Sequence, residues 1–235
     1  VNHQLRVKDA EADVQFVPEV CRKWNIPLLV KTVDVKSYAK KQRESIQVAA
    51  RKLRYQAFQT AMDEFAADYL ALGHHGDDQI ETFTMQLARS AHLAGMKGIP
   101  YQRPFHTGTI TRPFLAVTKD EIMAYCQKHA LTPREDTSNE SLDYTRNYVR
   151  QMIVPHLKKL NENVHQTLQH LAETLREDEA YLHHEANKLL QKLVSFDRTH
   201  QAATLSIQEL KSQPVSLQRR VFRLTLDYLY ENKVP

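Results

Sequence analysis

A chain of 235 residues, 42% hydrophobic and 26% charged, has room for one large domain or two modest ones and the balance of an ordinary globular protein. Its formal net charge is +4, with 21 basic against 18 acidic residues before position 156 and 11 against 10 after it, a weak lean toward polyanions that falls short of an overt nucleic-acid-binding signature. No apolar run approaches the roughly 20 residues of a membrane span, the opening VNHQLRVKDAEAD is too polar for a secretory signal, and Cys21 and Cys126 stand far apart with no CxxC, so the sequence predicts a cytoplasmic protein without a disulfide framework or cysteine zinc site.

The segment VNHQLR reads as the end of a strand, and Asp9 to Trp24 as a helix kinked at Pro18. Leu28 to Val35 (LLVKTVDV) is short, apolar and β-branched, the pattern of a strand. Glu44 to Phe65 carries Ile46, Ala49, Leu53 and Ala57 at helical spacing. A strand is expected over Asp68 to His74, then a helix from Asp78 to about Ala88. After a loop marked by Gly and Pro, Thr109 to Phe114 reads as a short strand, and Thr118 opens a helix with Glu121 at capping-box spacing. Strands alternating with helices predict an α/β fold, a parallel sheet with helices on both faces.

Beyond Pro155 the pattern becomes helical. Leu168, Leu171, Leu175, Leu182, Ala186, Leu189 and Leu193 form one apolar stripe, which reads as packing surface. Ala203 to Ile207 is strand-like, and Val215 to Tyr230 reads as a further helix. The expected organisation is therefore an α/β catalytic domain over 1–157 and a smaller, mostly helical domain over 158–235.

The densest chemistry lies in His74 to Thr82, HHGDDQIET, directly after the apolar run Tyr69 to Leu72. In an open α/β sheet ligands sit at the carboxyl ends of strands, and two or three carboxylates there favour a cationic ligand, a metal or an amine. Helix capping by Asp78 and Glu81 would explain part of the segment. It leaves His74, His75, Asp77 and Gln79 unexplained. Arg146 and Arg150, one helical turn apart, and the group Arg51, Lys52 and Arg54 are candidates to meet phosphate, with solvated helix faces as the plainer reading, preferred for Lys52. None of the five glycines belongs to a GxGxxG or GxxxxGK[ST] loop. A phosphate-cradling loop therefore either precedes Val1 or is not used.

HHGDDQIET, LAGMKGIP at Leu93 to Pro100, RPFLAVTKDEI at Arg112 to Ile122, EDTSNESLDYTRNYVR at Glu135 to Arg150, VNHQLR and ARKLRY at Ala50 to Tyr55 together resemble the bacterial tRNA(Ile)-lysidine synthetases, in that family's order, across residues 1–160. The resemblance implies a PP-loop ATPase domain of the adenine-nucleotide α-hydrolase type followed by helical tRNA-binding domains; the helical part of this chain rests more on position than on motif. It also implies the reaction. ATP adenylates the carbonyl oxygen of the wobble cytidine in the CAU anticodon of tRNA(Ile), and the amine of free L-lysine displaces AMP to give lysidine. By resemblance Asp78 and Glu81 bind the lysine, Asp77 and His74 lie beside the activated base, and the catalytic group is Asp78, Asp77 and His74. Asn2, His3, Arg51, Arg54, Arg146, Asn147 and Arg150 fall to ATP or tRNA, Asp136 helps Asn147 position its element, and Mg²⁺ is expected with ATP rather than in a site of protein ligands. Which carboxylate acts as base, how the anticodon is read and the oligomeric state, a homodimer included, stay open.

Three departures qualify the match. The family's SGGxDS loop is absent, so the chain by itself is expected not to complete the reaction. RSAHLAG at Arg89 to Gly95 places His92 where a small residue is common. The C-terminal tRNA-gripping domain of longer members is also absent, so the chain reads as a piece of a larger enzyme. Other readings are a tRNA thiolation enzyme of the PP-loop class, disfavoured by the cysteines; an amide-forming synthetase of the same fold; a non-catalytic tRNA-binding fragment; and a metallohydrolase, disfavoured because adjacent strand-end histidines point opposite ways.

Overall fold

The computed structural model describes residues 1–4, 16–90, 95–134, 145–197 and 202–231. The chain divides into two units, Val1–Asp78 with Tyr101–Tyr148, and Gln79–Pro100 with Val149–Pro235.

In the first unit, residues 16–23 are helical (α1). The apolar segment that follows differs from expectation. Within Leu28 to Val35 only Thr32 pairs, as a parallel bridge to Asn2, with Asn2 donating to the Lys31 carbonyl at 2.8 Å and accepting from Val33 at 2.9 Å. Helix α2 (Val35–Gln42) already begins at the end of that run, because the Asp34 carboxylate accepts from the Ser37 N–H at 3.0 Å and caps it. The β-branched composition masked a cap. Helix α3 (Ile46–Glu64) is capped by Ser45 and packs on α2 through Val35, Ala39 and Ala49.

Strand β1 (Tyr69–Ala71), shorter than expected, pairs in parallel with β3 (Gly108–Thr111), Ala71 facing Thr111. Strand β2 (Gln102–Phe105), hidden from the sequence reading by Pro104 and the turn residues around it, pairs antiparallel with β3 as a hairpin. The three-stranded sheet is therefore mixed, β1-β3-β2: the α/β class holds, but among these pairings only β1 with β3 is parallel. Gly108 starts β3 where the Asp68 carbonyl oxygen would lie 2.2 Å from any Cβ, so only glycine allows that approach. Helix α5 (Lys119–Lys128) opens with the expected capping box: Thr118 Oγ1 accepts from the Glu121 N–H, and Glu121 reaches back to the Thr118 N–H at 2.7 Å. The unit closes with a single helical turn, α6 (Thr145–Tyr148).

Helix α4 (Gly76–Arg89) starts in the first unit and continues into the second. There Ile80 is fully buried and packs with Val149 and Val154. Val149–Ile153 forms a π-helical turn ahead of α7 (Val154–Leu160). Pro155 at its start lacks an N–H and cannot continue the regular ladder from the preceding turn.

Helix α8 (Val164–Leu193) shows why the leucine stripe was only partly right. Five of its buried residues, His165, Ala172, Glu179, Ala186 and Leu193, recur every seven residues, with Leu190 buried beside them, and Leu168, Leu175, Leu182 and Leu189 form a half-buried row alongside. Leu171 falls on neither row and is exposed. Buried Glu179 is tolerated in the seam because Arg220 of α10 (Val215–Glu231) pairs with it. Strands β4 (Val194–Asp197) and β5 (Ala202–Leu205) form a hairpin, and with α9 (Ile207–Lys211) and α10 they enclose a core of Ala186, Leu190, Leu193, Leu210 and Val221. Among the described residues no helix is long and apolar enough to cross a membrane.

Candidate active site

Because β1 and β3 are parallel, their carboxyl ends lie side by side, and both chains leave the sheet carrying polar residues. The Leu72 N–H still donates to the Thr111 carbonyl at 2.9 Å. From there β1 delivers His74 and His75 to the start of α4, and β3 delivers Arg112, which is buried. The Gly76 N–H donates to the Val117 carbonyl at 2.7 Å, so the two strand ends stay tied one step further on.

Asp78 takes a different part from the one capping-box spacing implied. Its carboxylate accepts from the His75 N–H at 3.0 Å, while its own N–H donates to the His75 carbonyl at 3.0 Å. His75 thus stands at the cap and Asp78 at the third helical position, so the capping bond runs three residues earlier than the Asp78–Glu81 spacing suggests. The other Asp78 oxygen, Oδ1, accepts from Arg146 Nη2 at 2.5 Å. Asp77 and Asp78 are both buried and lie in the first turn of α4, where the helix dipole favours negative charge.

In the second unit Glu81 is fully buried and meets Arg150 twice, Nε to Oε1 at 2.6 Å and Nη2 to Oε2 at 3.3 Å. This is the bidentate geometry that a buried carboxylate needs if it is to stay ionised. Gln79, also fully buried, accepts from the Ile99 N–H at 2.7 Å and donates to Gln169 at 2.8 Å. Gln86 accepts from the Gly98 N–H at 2.9 Å. The Gly98–Ile99 loop is therefore held by the amides of α4, a structural use for Gln79 that its place in the motif did not reveal.

The electrostatics of the first unit centre on His74. Burial holds its imidazole below the ordinary histidine value; the Asp78 charge opposes this, and the charges of Arg112, Arg146 and Arg51 add to it. Its Nδ1 is buried with no hydrogen-bond partner among the described residues. His3 is likewise lowered, first by burial and then by Arg54. Of the sequence-derived residues, the structure thus gathers His74, Asp78, Arg146 and Arg51 in one field, and brings the charge of Arg54 to bear on His3, the residue after bridge-forming Asn2; all of these lie in the first unit. Asn147 is buried between the two arginines in sequence. His92 and Asp136 lie outside the described residues. Missed by the sequence reading were Arg103, on the unrecognised strand β2, and Arg112 as a site residue, whose position just past a strand end was the available signal.

A family model described as a PP-loop domain matches residues 1–157. The chain belongs to the PP-loop family. Within it, this PP-loop chain is 44% identical over 231 residues, 98% of its length, to the tRNA(Ile)-lysidine synthase of Oceanobacillus iheyensis. It is 40% identical over 235 residues to that of Bacillus cereus strain ATCC 10987 and 39% over 232 residues to that of Bacillus subtilis strain 168. The chain spans about half the length of these curated relatives, 50%, 49% and 49%. A solved structure, the U34-tRNA thiolase NcsA from Methanococcus maripaludis with its [4Fe-4S] cluster, superimposes with a TM-score of 0.56 at 18% identity, covering 72% of this chain and 57% of that one. At that identity the likeness supports the PP-loop α/β fold alone.

Proposed function

We propose that this PP-loop protein is a tRNA(Ile)-lysidine synthetase, joining L-lysine to the wobble cytidine of the CAU anticodon at the expense of ATP. The observation that carries the reading is the 44% identity to the Oceanobacillus iheyensis tRNA(Ile)-lysidine synthase over 98% of the chain. The site chemistry supports it. Asp78 and Glu81 stand one turn apart on α4, the spacing that puts two carboxylates on one helix face. Each is oriented by an arginine, and a pair of carboxylates suits the ammonium groups of free lysine. In this reading Asp78 and Glu81 bind the lysine, and Asp77 and His74 face the activated base.

The reaction has two steps. The cytidine carbonyl oxygen attacks the α-phosphorus of ATP and expels diphosphate; the lysine amine then attacks the ring carbon bearing that oxygen, and the carbon–oxygen bond breaks to release AMP. The attacking amine must first lose a proton. Neutral His74, held below its usual pKa by burial, is suited to accept it, as is a carboxylate of the same turn. Asn2, His3, Arg51, Arg54, Arg146, Asn147 and Arg150 are assigned to ATP and tRNA. Among the described residues no group of three or more His, Cys, Asp or Glu side chains is arranged to hold a metal ion; in our reading Mg²⁺ arrives on the triphosphate. We also retain a catalytic domain over 1–157, the extent of the PP-loop match, a helical substrate domain over 158–235, and a sheet in which the two parallel pairings belong to one layer covered by helices on both faces.

A thiolation reading has less support. It rests on a fold likeness at 18% identity, against 44% identity to a tRNA(Ile)-lysidine synthase over 98% of the chain. The deciding experiment is incorporation of labelled lysine into tRNA(Ile) bearing a CAU anticodon, with ATP and the full-length polypeptide. Lysine transfer with release of AMP supports the ligase; sulfur transfer, or tRNA binding with no transfer at all, overturns it.

A further inference from the structure

One cluster in the first unit joins Arg51 to three residues that the chemistry above does not use, Tyr55, Arg103 and Arg112. Three arginines converge on Tyr55. The Arg51 guanidinium carbon lies 4.9 Å from the Tyr55 ring centroid, and Arg51 donates to the phenol oxygen at 3.5 Å. Arg103, from strand β2, lies 5.4 Å from the same ring and 5.6 Å from the ring of Phe105. The two rings meet edge to face, with centroids 5.4 Å apart and planes at 78°. Arg112 completes the group from the end of β3. The array is graded in depth, with Arg112 buried, Arg103 and Tyr55 half-buried and Arg51 exposed.

Three like charges gathered around one ring make a locally positive surface that attracts an anion. Arg112 is lowered first by burial and then by the charges of Arg103 and Arg51, with Tyr55 opposing the shift. Burial would raise the Tyr55 phenol, but the Arg103 hydrogen bond and the charges of Arg51, Arg103 and Arg112 outweigh it and hold it below its ordinary value. Guanidinium planes stacked on aromatic faces leave their N–H edges available to phosphate, and a basic array interleaved with aromatic rings suits single-stranded nucleic acid, which offers phosphates and unstacked bases together. The cluster also stands next to the site, since the charges of Arg112 and Arg51 both act on His74.

We propose that Arg51, Arg103 and Arg112, gathered on the Tyr55 ring, bind the sugar-phosphate backbone of a single-stranded RNA loop beside His74. The inference rests on the reading of this protein as a tRNA-modifying enzyme, and extends it by giving the RNA a docking point formed by α3 and the β2–β3 hairpin. Phosphate chemistry alone would also admit the triphosphate of ATP. The spread of the array from the buried strand end out to exposed Arg51 favours an extended polyanion.

The test compares full-length protein with its Arg51→Ala, Arg103→Ala and Arg103→Lys variants, with folding checked by thermal melting. Affinity for tRNA(Ile) is measured over a salt series, and ATP binding and lysidine formation are measured beside it. We expect each alanine variant to weaken tRNA binding about 3- to 10-fold and to reduce the slope of log affinity against log salt by about 0.7, the value of one single-strand phosphate contact. ATP affinity of the two Arg103 variants should not change. Arg103→Lys should keep the slope while losing part of the affinity, because lysine supplies the charge without the planar stack. Unchanged tRNA affinity and slope in both alanine variants would overturn the proposal and leave the cluster a packing motif. Weakened ATP binding with unaltered tRNA binding would overturn it in favour of the nucleotide. If wild-type protein forms no lysidine, yet the alanine variants bind tRNA less tightly with a smaller slope, the RNA contact stands and the ligase reading falls.

Discussion

Arg146 Nη2 lies 2.5 Å from Asp78 Oδ1, while the other oxygen of the same carboxylate accepts the His75 N–H. Asp78 is thus oriented from both sides, by a side chain from α6 and by the backbone at the start of its own helix. The Arg146 side chain remains 41% exposed, so its contribution to stability is small, under about 1 kcal/mol. Its effect is to fix where the negative charge sits.

Asp78→Asn is therefore expected to separate activity from folding. Asparagine keeps an oxygen for the His75 N–H but loses the charge that would hold the lysine ammonium. Lysine transfer should fall by at least about a hundredfold. The melting temperature should move by only a few degrees, and ATP binding should be retained. Steady-state lysidine formation read beside a thermal melt checks this, and wild-type turnover in the variant would remove Asp78 from the lysine site.

Glu81 and Arg150 should behave in the opposite way. Glu81 is fully buried, so Arg150→Ala strands a carboxylate without its bidentate partner and should destabilise the protein by about 3–5 kcal/mol. Replacing both, as Glu81→Leu with Arg150→Met, should restore much of that loss while leaving lysine transfer abolished. Denaturant melts of the single and double variants decide the matter. Equal stability of Arg150→Ala and wild type would mean that the pair does not support the fold.

What the sequence made legible follows from the range of the interactions involved. Local signals are legible: the Thr118–Glu121 capping box and the course of α3 are set by residues within one helical turn of each other. Partners distant in the chain are not. Arg146 and Arg150 were legible as a cationic pair, but nothing local shows that they end on Asp78 and Glu81, 68 and 69 residues away. Pro104 and the turn residues obscure the alternation of the hairpin carrying Arg103, and the β-branched run Leu28 to Val35 conceals the helix cap at Asp34. The Tyr55 cluster draws on α3, β2 and β3, so no single window of sequence contains it.

Gly98 supplies a test of how the second unit holds its loop. Its φ is +56°, and a Cβ there would meet the Gln79 amide at 2.8 Å and the Ala172 Cβ at 3.0 Å. Gly98→Ala combines left-handed backbone strain of about 1–2 kcal/mol with a clash against two buried neighbours. The loop can relieve it only by giving up the Ile99–Gln79 and Gly98–Gln86 hydrogen bonds. A loss of about 2–4 kcal/mol is expected, together with faster amide exchange at Gly98 and Ile99. Unchanged exchange at those two amides would show that α4 does not anchor the loop.

The pH dependence of stability tests the environment of His74. Burial first, and then Arg112, Arg146 and Arg51, lower its folded pKa below the ordinary 6.5, against the pull of Asp78. The unfolded chain therefore binds the proton more readily than the native state. The stability this residue contributes is complete above about pH 6.5 and is lost as pH falls from there through the lower folded value. Chemical denaturation between pH 5 and 7.5 should show wild type weakening toward acid more steeply than His74→Gln, which carries no titrating group at that position. Protonation of the native imidazole, at its lower folded value, removes the neutral proton acceptor, so lysine transfer at saturating tRNA and ATP should fall only at a pH below the onset of the stability loss. Parallel stability curves for wild type and His74→Gln would mean that the imidazole titrates alike in the folded and unfolded chain, and that burial beside the arginines does not keep it neutral.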